Sequence, residues 1–121
     1  MDSCDRLGSI RRIVSSLKAE LTALSDAIWA HPETAFQEKY ACAALSRFLA
    51  EKGFSVEPAA GLPTAFVASR GAGSPVIGFL GEYDALPGLY QLAGVSETDA
   101  KPGGAGHGCG HNLLGVGAAG G

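Results

Sequence analysis

The chain is sparing in several features that mark particular protein classes. Cysteine occurs three times in 121 residues, as Cys4, Cys42 and Cys109. An odd number of widely separated thiols excludes a disulfide framework and fits a reducing compartment. No apolar run approaches the roughly 20 residues that span a bilayer. The opening MDSCDRLGSIRRIV carries acidic residues where a secretion signal needs basic ones, and no apolar stretch of about 7–15 residues follows it. A cytoplasmic location is the expectation. Basic residues are also few, nine against twelve acidic, for a net charge of -3. With no basic stripe to neutralise phosphates, neither nucleic acid nor an anionic membrane surface is an expected partner. Aromatic residues reach only 7% and tryptophan occurs once, yet 46% of residues are apolar, enough to bury a core in one globular domain.

What the chain does have is unevenly spread. Of 18 glycines, only Gly8, Gly53 and Gly61 precede residue 71, whereas 16 of the charged residues do. Charged, glycine-poor sequence suits helices with a solvated face, and glycine-rich backbone suits tight turns and close approach to a ligand.

Ile10, Ile13, Val14, Leu17, Leu21, Leu24 and Ile28 recur at spacings of three and four, predicting a helix with one buried stripe. Ser9 is its expected cap, and His31-Pro32 its expected end, because proline disfavours helical geometry in the residue before it. Thr34 and Gln37 form a capping-box pattern for a second helix. Phe36, Ala41, Ala44, Leu45, Phe48 and Leu49 make its apolar face, and Gly53 its stop. Short β-prone runs follow at 54–57, 64–69 and 76–80. The last, Val76-Ile77-Gly78-Phe79-Leu80, is apolar on both faces and predicts a central strand of an α/β layer leading into Gly81-Glu82-Tyr83-Asp84, where such sheets place ligands.

The segment GHGCGHN sets His107, Cys109 and His111 at alternate positions, separated by Gly106, Gly108 and Gly110. Alternate side chains of an extended or looping backbone project to one side, and thiolate and imidazole are the usual partners of zinc. A buried small residue beside a capping histidine would show the same letters, so on spacing alone the two readings are about even. Glu82 and Asp84, two apart, place their carboxylates on one side of a strand about 6–7 Å apart. That spacing suits a glycosidase pair, a carboxylate that orients an imidazole, or two solvated loop residues. His31 beside Glu33 reads as structural. Gly115-Val116-Gly117-Ala118-Ala119-Gly120 matches a dinucleotide fingerprint in letters, but it follows His111-Asn112 rather than a strand and lacks the acidic residue about 20 positions on.

Taken together, the stretches IWAHPETAFQEKYACAALSRFLAEKGFSV, GEYDALPGL and GHGCGHNLLGVGAA resemble the amidohydrolase branch of metallopeptidase family M-twenty, from about Ile10 onward. The resemblance implies an α/β fold, the N-terminal part of a zinc-peptidase-like catalytic domain with a central mixed sheet flanked by helices. It implies a divalent metal, zinc or manganese, with two ions in the full-length protein. Cys109 and His111 match the family's first two metal ligands, and Asp84 the carboxylate that orients a metal-held group. Glu82 varies within the family and receives no role of its own; with His107 it is a candidate for supporting contacts. Asn112 replaces a more frequent aspartate and points to the sub-branch acting on aminobenzoyl-glutamate and dipeptides.

On this reading residues 1–121 form the N-terminal part of the catalytic domain. The lid or dimerisation domain, the general base and the later ligands lie outside it. The implied reaction is hydrolysis of an amide bond in small N-acyl or N-aroyl amino acids, with p-aminobenzoyl-glutamate the favoured substrate and a dipeptidase of the same family the alternative. The implied assembly is a homo-oligomer, or a hetero-oligomer with a related subunit. Two protein ligands are too few for a catalytic zinc, so these residues alone are expected to be inactive. Separately, the expected central strand at 76–80 has too few helices to cover both faces, so they are expected to be marginally folded. A non-catalytic metal-binding or interaction fragment from a truncated reading frame is the competing reading, which sequence downstream of Gly121 decides. A glycosidase built on Glu82 and Asp84 is the third.

Overall fold

The computed structural model describes residues 3–94 and 104–121. The element order is α1 (Ser3–Ala30), α2 (Lys39–Glu51), β1 (Ser55–Pro58), β2 (Phe66–Ser69) and α3 (His111–Gly120). The class is an α/β mix. The expected central mixed sheet is absent from the described residues: β1 and β2 form a two-stranded antiparallel sheet in which Ser55 faces Ser69 and Pro58 faces Phe66. Residues 76–80, expected to be the central strand, form no strand, and Val76, Ile77, Phe79 and Leu80 are exposed. An apolar run becomes a strand only when neighbouring strands take up its backbone groups, and none of the described elements does so here.

Helix α1 starts before Ser9, so Ser9 is no cap. Its hydroxyl instead donates to the Asp5 carbonyl inside the helix. The expected end holds: the His31 Nδ1 atom meets the Ala27 carbonyl at 2.8 Å, and the ring stacks on Tyr40. Only the C-terminal half of the stripe is covered. Ile28 is fully buried and Leu21 and Leu24 partly so, whereas Ile10, Ile13 and Val14 are exposed. In the last turn of α3, Gly120 lies against Leu21 of α1.

Helix α2 is held differently from the expected capping box. Thr34 pairs with Ala85 in an isolated bridge, and the helix begins only at Lys39. The Glu33 carboxylate accepts from the backbone N–H groups of Tyr40 and Ala41, so it neutralises donors that the first turn leaves open. Phe36 is exposed with φ +65° rather than part of the apolar face. The rest of that face, Ala41, Ala44, Leu45, Phe48 and Leu49, is buried as its spacing predicts. Gly53 ends the helix at φ +85°, with Gly53 N–H to Ala50 and Phe54 N–H to Leu49, the paired bonds of a Schellman closure. Ile28, Ala41, Leu45 and Val116 form the core where α1, α2 and α3 meet, with Phe66 and Tyr83 against its edge.

Candidate metal centre

Two isolated backbone bridges bring the site together. Ala85 N–H donates to the Glu33 carbonyl at 2.7 Å, and Leu86 and Gly106 exchange both of their hydrogen bonds at 3.0 Å. The two ends of the connection from Asp84 to the histidine-rich segment are therefore pinned together, with Tyr90 N–H to the Gly104 carbonyl one step further out. Residues 95–103 of that connection lie outside the described residues. Gly106 permits the closure: a Cβ there would stand 2.0 Å from the Leu89 carbonyl oxygen. At this position glycine allows close backbone approach to residue 89 rather than crowding around an ion.

Beyond this closure the chain turns at Gly108-Cys109 and enters α3, whose first residue is His111. Next to it, the buried Asn112 donates its amide to the Ser25 hydroxyl at 3.0 Å and faces the Ser25 carbonyl at 3.5 Å. This anchor to α1 fixes the start of the helix, and sequence reasoning treated Asn112 only as a sub-branch marker. A polar residue on an otherwise apolar helix, one position after a candidate ligand, was the available signal.

His111 lies between two carboxylates. Its Nδ1 atom is 2.8 Å from Asp84 Oδ1 and 3.0 Å from the Asp84 carbonyl, and its Nε2 atom is 3.3 Å from Glu82 Oε2. Both Nδ1 partners are acceptors, so Nδ1 carries a proton, and Nε2 faces the Glu82 carboxylate at ion-pair distance, as a donor when the ring is charged and as a lone-pair carrier when it is neutral. With the ring neutral, the Nε2 lone pair and the Glu82 carboxylate face each other at a distance that suits a cation between them. One donor atom from each of Glu82, Asp84 and His111 lies within 4.8 Å of the others, the reach of a metal-ligand set. This is closer than the 6–7 Å expected for the carboxylates from strand rise alone, because the segment is not a regular strand. The Asp84 and His111 side chains are largely shielded and that of Glu82 is open, at 23%, 16% and 69% exposure.

The remaining candidates lie around this group. Cys109 is exposed in the turn and is not part of the three-residue cluster. His107 is buried, with neither ring nitrogen hydrogen-bonded among the described residues. Burial holds its imidazole below the usual histidine range. The Ile28 carbonyl, near but not in hydrogen-bonding geometry, opposes that shift, His111 reinforces it and Asp84 opposes it. His31 stays in its structural place at the end of α1. Opposite Glu82 and Asp84, Tyr83 donates its hydroxyl to the Thr64 carbonyl, and the Thr64 hydroxyl donates to the buried Glu38 carboxylate. Burial, then Cys42 and Glu38, push the Tyr83 phenol well above its usual range.

No protein-family profile matches the chain. Individual relatives do. It is 52% identical over 99 residues to one of the subunits of the p-aminobenzoyl-glutamate hydrolase of Escherichia coli (strain K12), across 80% of this chain and 21% of that protein. The chain is homologous to that hydrolase component. It is also 40% identical over 105 residues to the Xaa-Arg dipeptidase of Mus musculus, across 78% of this chain and 21% of the relative. The Homo sapiens Xaa-Arg dipeptidase is 39% identical over 114 residues, 82% and 22% of the two lengths. The chain thus spans about a fifth of the length of the curated relatives it matches. The resemblance read from the residues stands, and the relatives it meets are named a hydrolase subunit and two dipeptidases.

Proposed function

We propose that the chain supplies part of the divalent-metal centre of an amidohydrolase that cleaves the amide bond of N-acyl or N-aroyl amino acids, with p-aminobenzoyl-glutamate the favoured substrate. The observation that carries this reading is the convergence of Glu82 and Asp84 on the two nitrogens of His111. In it, His111 holds the metal through Nε2 and Cys109 through its thiolate, with Glu82 beside them. Asp84 accepts the Nδ1 proton and so fixes both the tautomer and the plane of the ring. Such a donor set, imidazole with carboxylate and thiolate, suits zinc and, less closely, manganese, with two ions in the complete enzyme. When bound, a divalent ion supplies a Lewis acid that polarises an amide carbonyl and acidifies water. The protein's own contribution here is orientation: a shielded carboxylate–imidazole pair, pinned between α3 and the Leu86–Gly106 closure, that points a lone pair toward the open Glu82 side.

The likeness to one component of a multi-subunit hydrolase supports an enzyme of more than one chain, and the few, widely spaced thiols support a reducing, cytoplasmic setting. A dipeptidase is the second reading, favoured by the two Xaa-Arg dipeptidases. The glycosidase reading loses its support, because an imidazole occupies the space between the two carboxylates.

The test uses the protein expressed from its complete gene, stripped of metal and reloaded with zinc or manganese. Release of p-aminobenzoate from p-aminobenzoyl-glutamate is compared with cleavage of an Xaa-Arg dipeptide. Metal-dependent release of p-aminobenzoate, lost in both Cys109→Ser and His111→Ala, is the expected result. Full metal content in both variants overturns the ligand assignment, and preferential dipeptide cleavage selects the second reading.

A further inference from the structure

The glycines of 115–120 match a nucleotide fingerprint in letters only, and their place in the structure suggests another task. We infer that Gly81 and Gly115 form a close crossing that sets the spacing between His111 and the Glu82 and Asp84 carboxylates. They are then positioning residues for the proposed metal centre, the reading on which this inference rests. His111 belongs to α3, while Glu82 and Asp84 belong to an irregular segment with no sheet neighbour among the described residues. The segment is held beyond Asp84 by the backbone bonds of Ala85 and Leu86, and before that point its geometry depends on how closely residues 81–84 lie against the helix.

The crossing point is four residues beyond His111 and so on the same face of α3. A Cβ on Gly115 would stand 3.0 Å from the Glu82 carbonyl oxygen, 3.2 Å from Tyr83 Cβ and 3.5 Å from Leu45 Cδ1. From the other side, a Cβ on Gly81 would stand 2.8 Å from Ala118 Cβ, 3.1 Å from Gly115 Cα and 3.2 Å from the Leu114 carbonyl oxygen. Most of these neighbours are backbone or Cβ atoms, which cannot swing aside. Neither glycine has the positive φ that would by itself require glycine, so it is space that excludes a side chain. Carbon atoms prefer separations of about 3.5–4.0 Å, so one added methyl moves the segment about half an ångström or more from the helix. That displacement acts directly on the 2.8 Å contact between Asp84 and His111 and the 3.3 Å approach of Glu82. Gly117 provides an internal control, since a Cβ there meets nothing within 4 Å.

The experiment uses the protein expressed from its complete gene. Zinc affinity is measured by chelator competition, alongside the thermal midpoint, for Gly115→Ala, Gly81→Ala, Gly117→Ala and the double variant Gly81→Ala/Ala118→Gly. Gly115→Ala and Gly117→Ala carry the same gain in helix propensity, so their difference isolates the crossing. We expect zinc affinity to fall about tenfold or more in Gly115→Ala and Gly81→Ala, in the range that misplaced supporting contacts produce. It should stay unchanged in Gly117→Ala and recover in part when Ala118→Gly removes the nearest clash. Wild-type affinity in both single variants, or an equal loss in Gly117→Ala, overturns the inference. Should Gly115→Ala fail to fold, the size exchange decides: no recovery over Gly81→Ala overturns it. If the wild-type protein binds no zinc or manganese, the metal reading falls separately. The crossing is then judged from the His111 Nδ1 proton resonance, which should be retained in Gly117→Ala and lost in Gly81→Ala.

Discussion

Replacing Asp84 separates two roles that a carboxylate beside a histidine can have. The His111 Nδ1 proton has two acceptors from the same residue, the carboxylate at 2.8 Å and the backbone carbonyl at 3.0 Å. Asp84→Ala removes the first and leaves the second. The imidazole is then not stripped of partners, and the full penalty of about 1–3 kcal/mol for a buried unsatisfied group does not apply. What disappears is the charged part of the bond and one restraint on the ring plane. Losses of this kind run to about 10–100-fold in metal affinity, and the surviving carbonyl places Asp84→Ala near the lower end, about tenfold or 1.4 kcal/mol. Asp84→Asn keeps an oxygen in place without the charge and should lose only a factor of about three. The assay is chelator competition for zinc on the protein expressed from its complete gene, with the metal-free thermal midpoint measured in parallel. A loss beyond about a thousandfold, or a fall in the number of ions bound, would falsify the orienting role and make Asp84 a ligand. Wild-type affinity in Asp84→Ala would show that the backbone carbonyl holds the ring unaided.

Three further outcomes follow from packing. Asn112→Asp replaces a buried amide donor with a carboxylate facing the Ser25 carbonyl, and should destabilise by about 2–4 kcal/mol, read from urea denaturation; Asn112→Ser should cost less because it adds no charge. Leu45→Ala empties the centre of the α1, α2 and α3 core and should cost about 2–5 kcal/mol, whereas a loss under about 1 kcal/mol would mean that the three helices do not meet there. Gly53→Ala should cost about 1–2 kcal/mol by thermal melting. The added methyl meets only Arg70 at 3.9 Å, so the whole effect is the positive φ, and a neutral result would place the end of α2 elsewhere.

The local features that the chain dictated are those carried by neighbouring residues. The burial of Ala41, Ala44, Leu45, Phe48 and Leu49, the stop at Gly53 and the end of α1 at His31 all follow from helical spacing and backbone preference over a single turn. His111 was legible as a site residue because the alternate histidine and cysteine positions are unusual in themselves. Tertiary structure decided the rest. Whether Ile10, Ile13 and Val14 are buried depends on what packs along that half of α1, and whether Val76 to Leu80 forms a strand depends on partners for its backbone; periodicity reports neither. Glu33 rather than Thr34 serves the first turn of α2 because the helix begins only at Lys39, five residues beyond Thr34, in a segment held to Ala85 across 51 positions of sequence. The meeting of Glu82 and Asp84 with His111 likewise spans more than 25 residues. It exists because Gly81 and Gly115 let two backbones approach closely enough for an imidazole to reach both carboxylates. Sequence named the groups able to carry the chemistry, and the close approach of the 81–84 segment to α3 brought them within reach of one another.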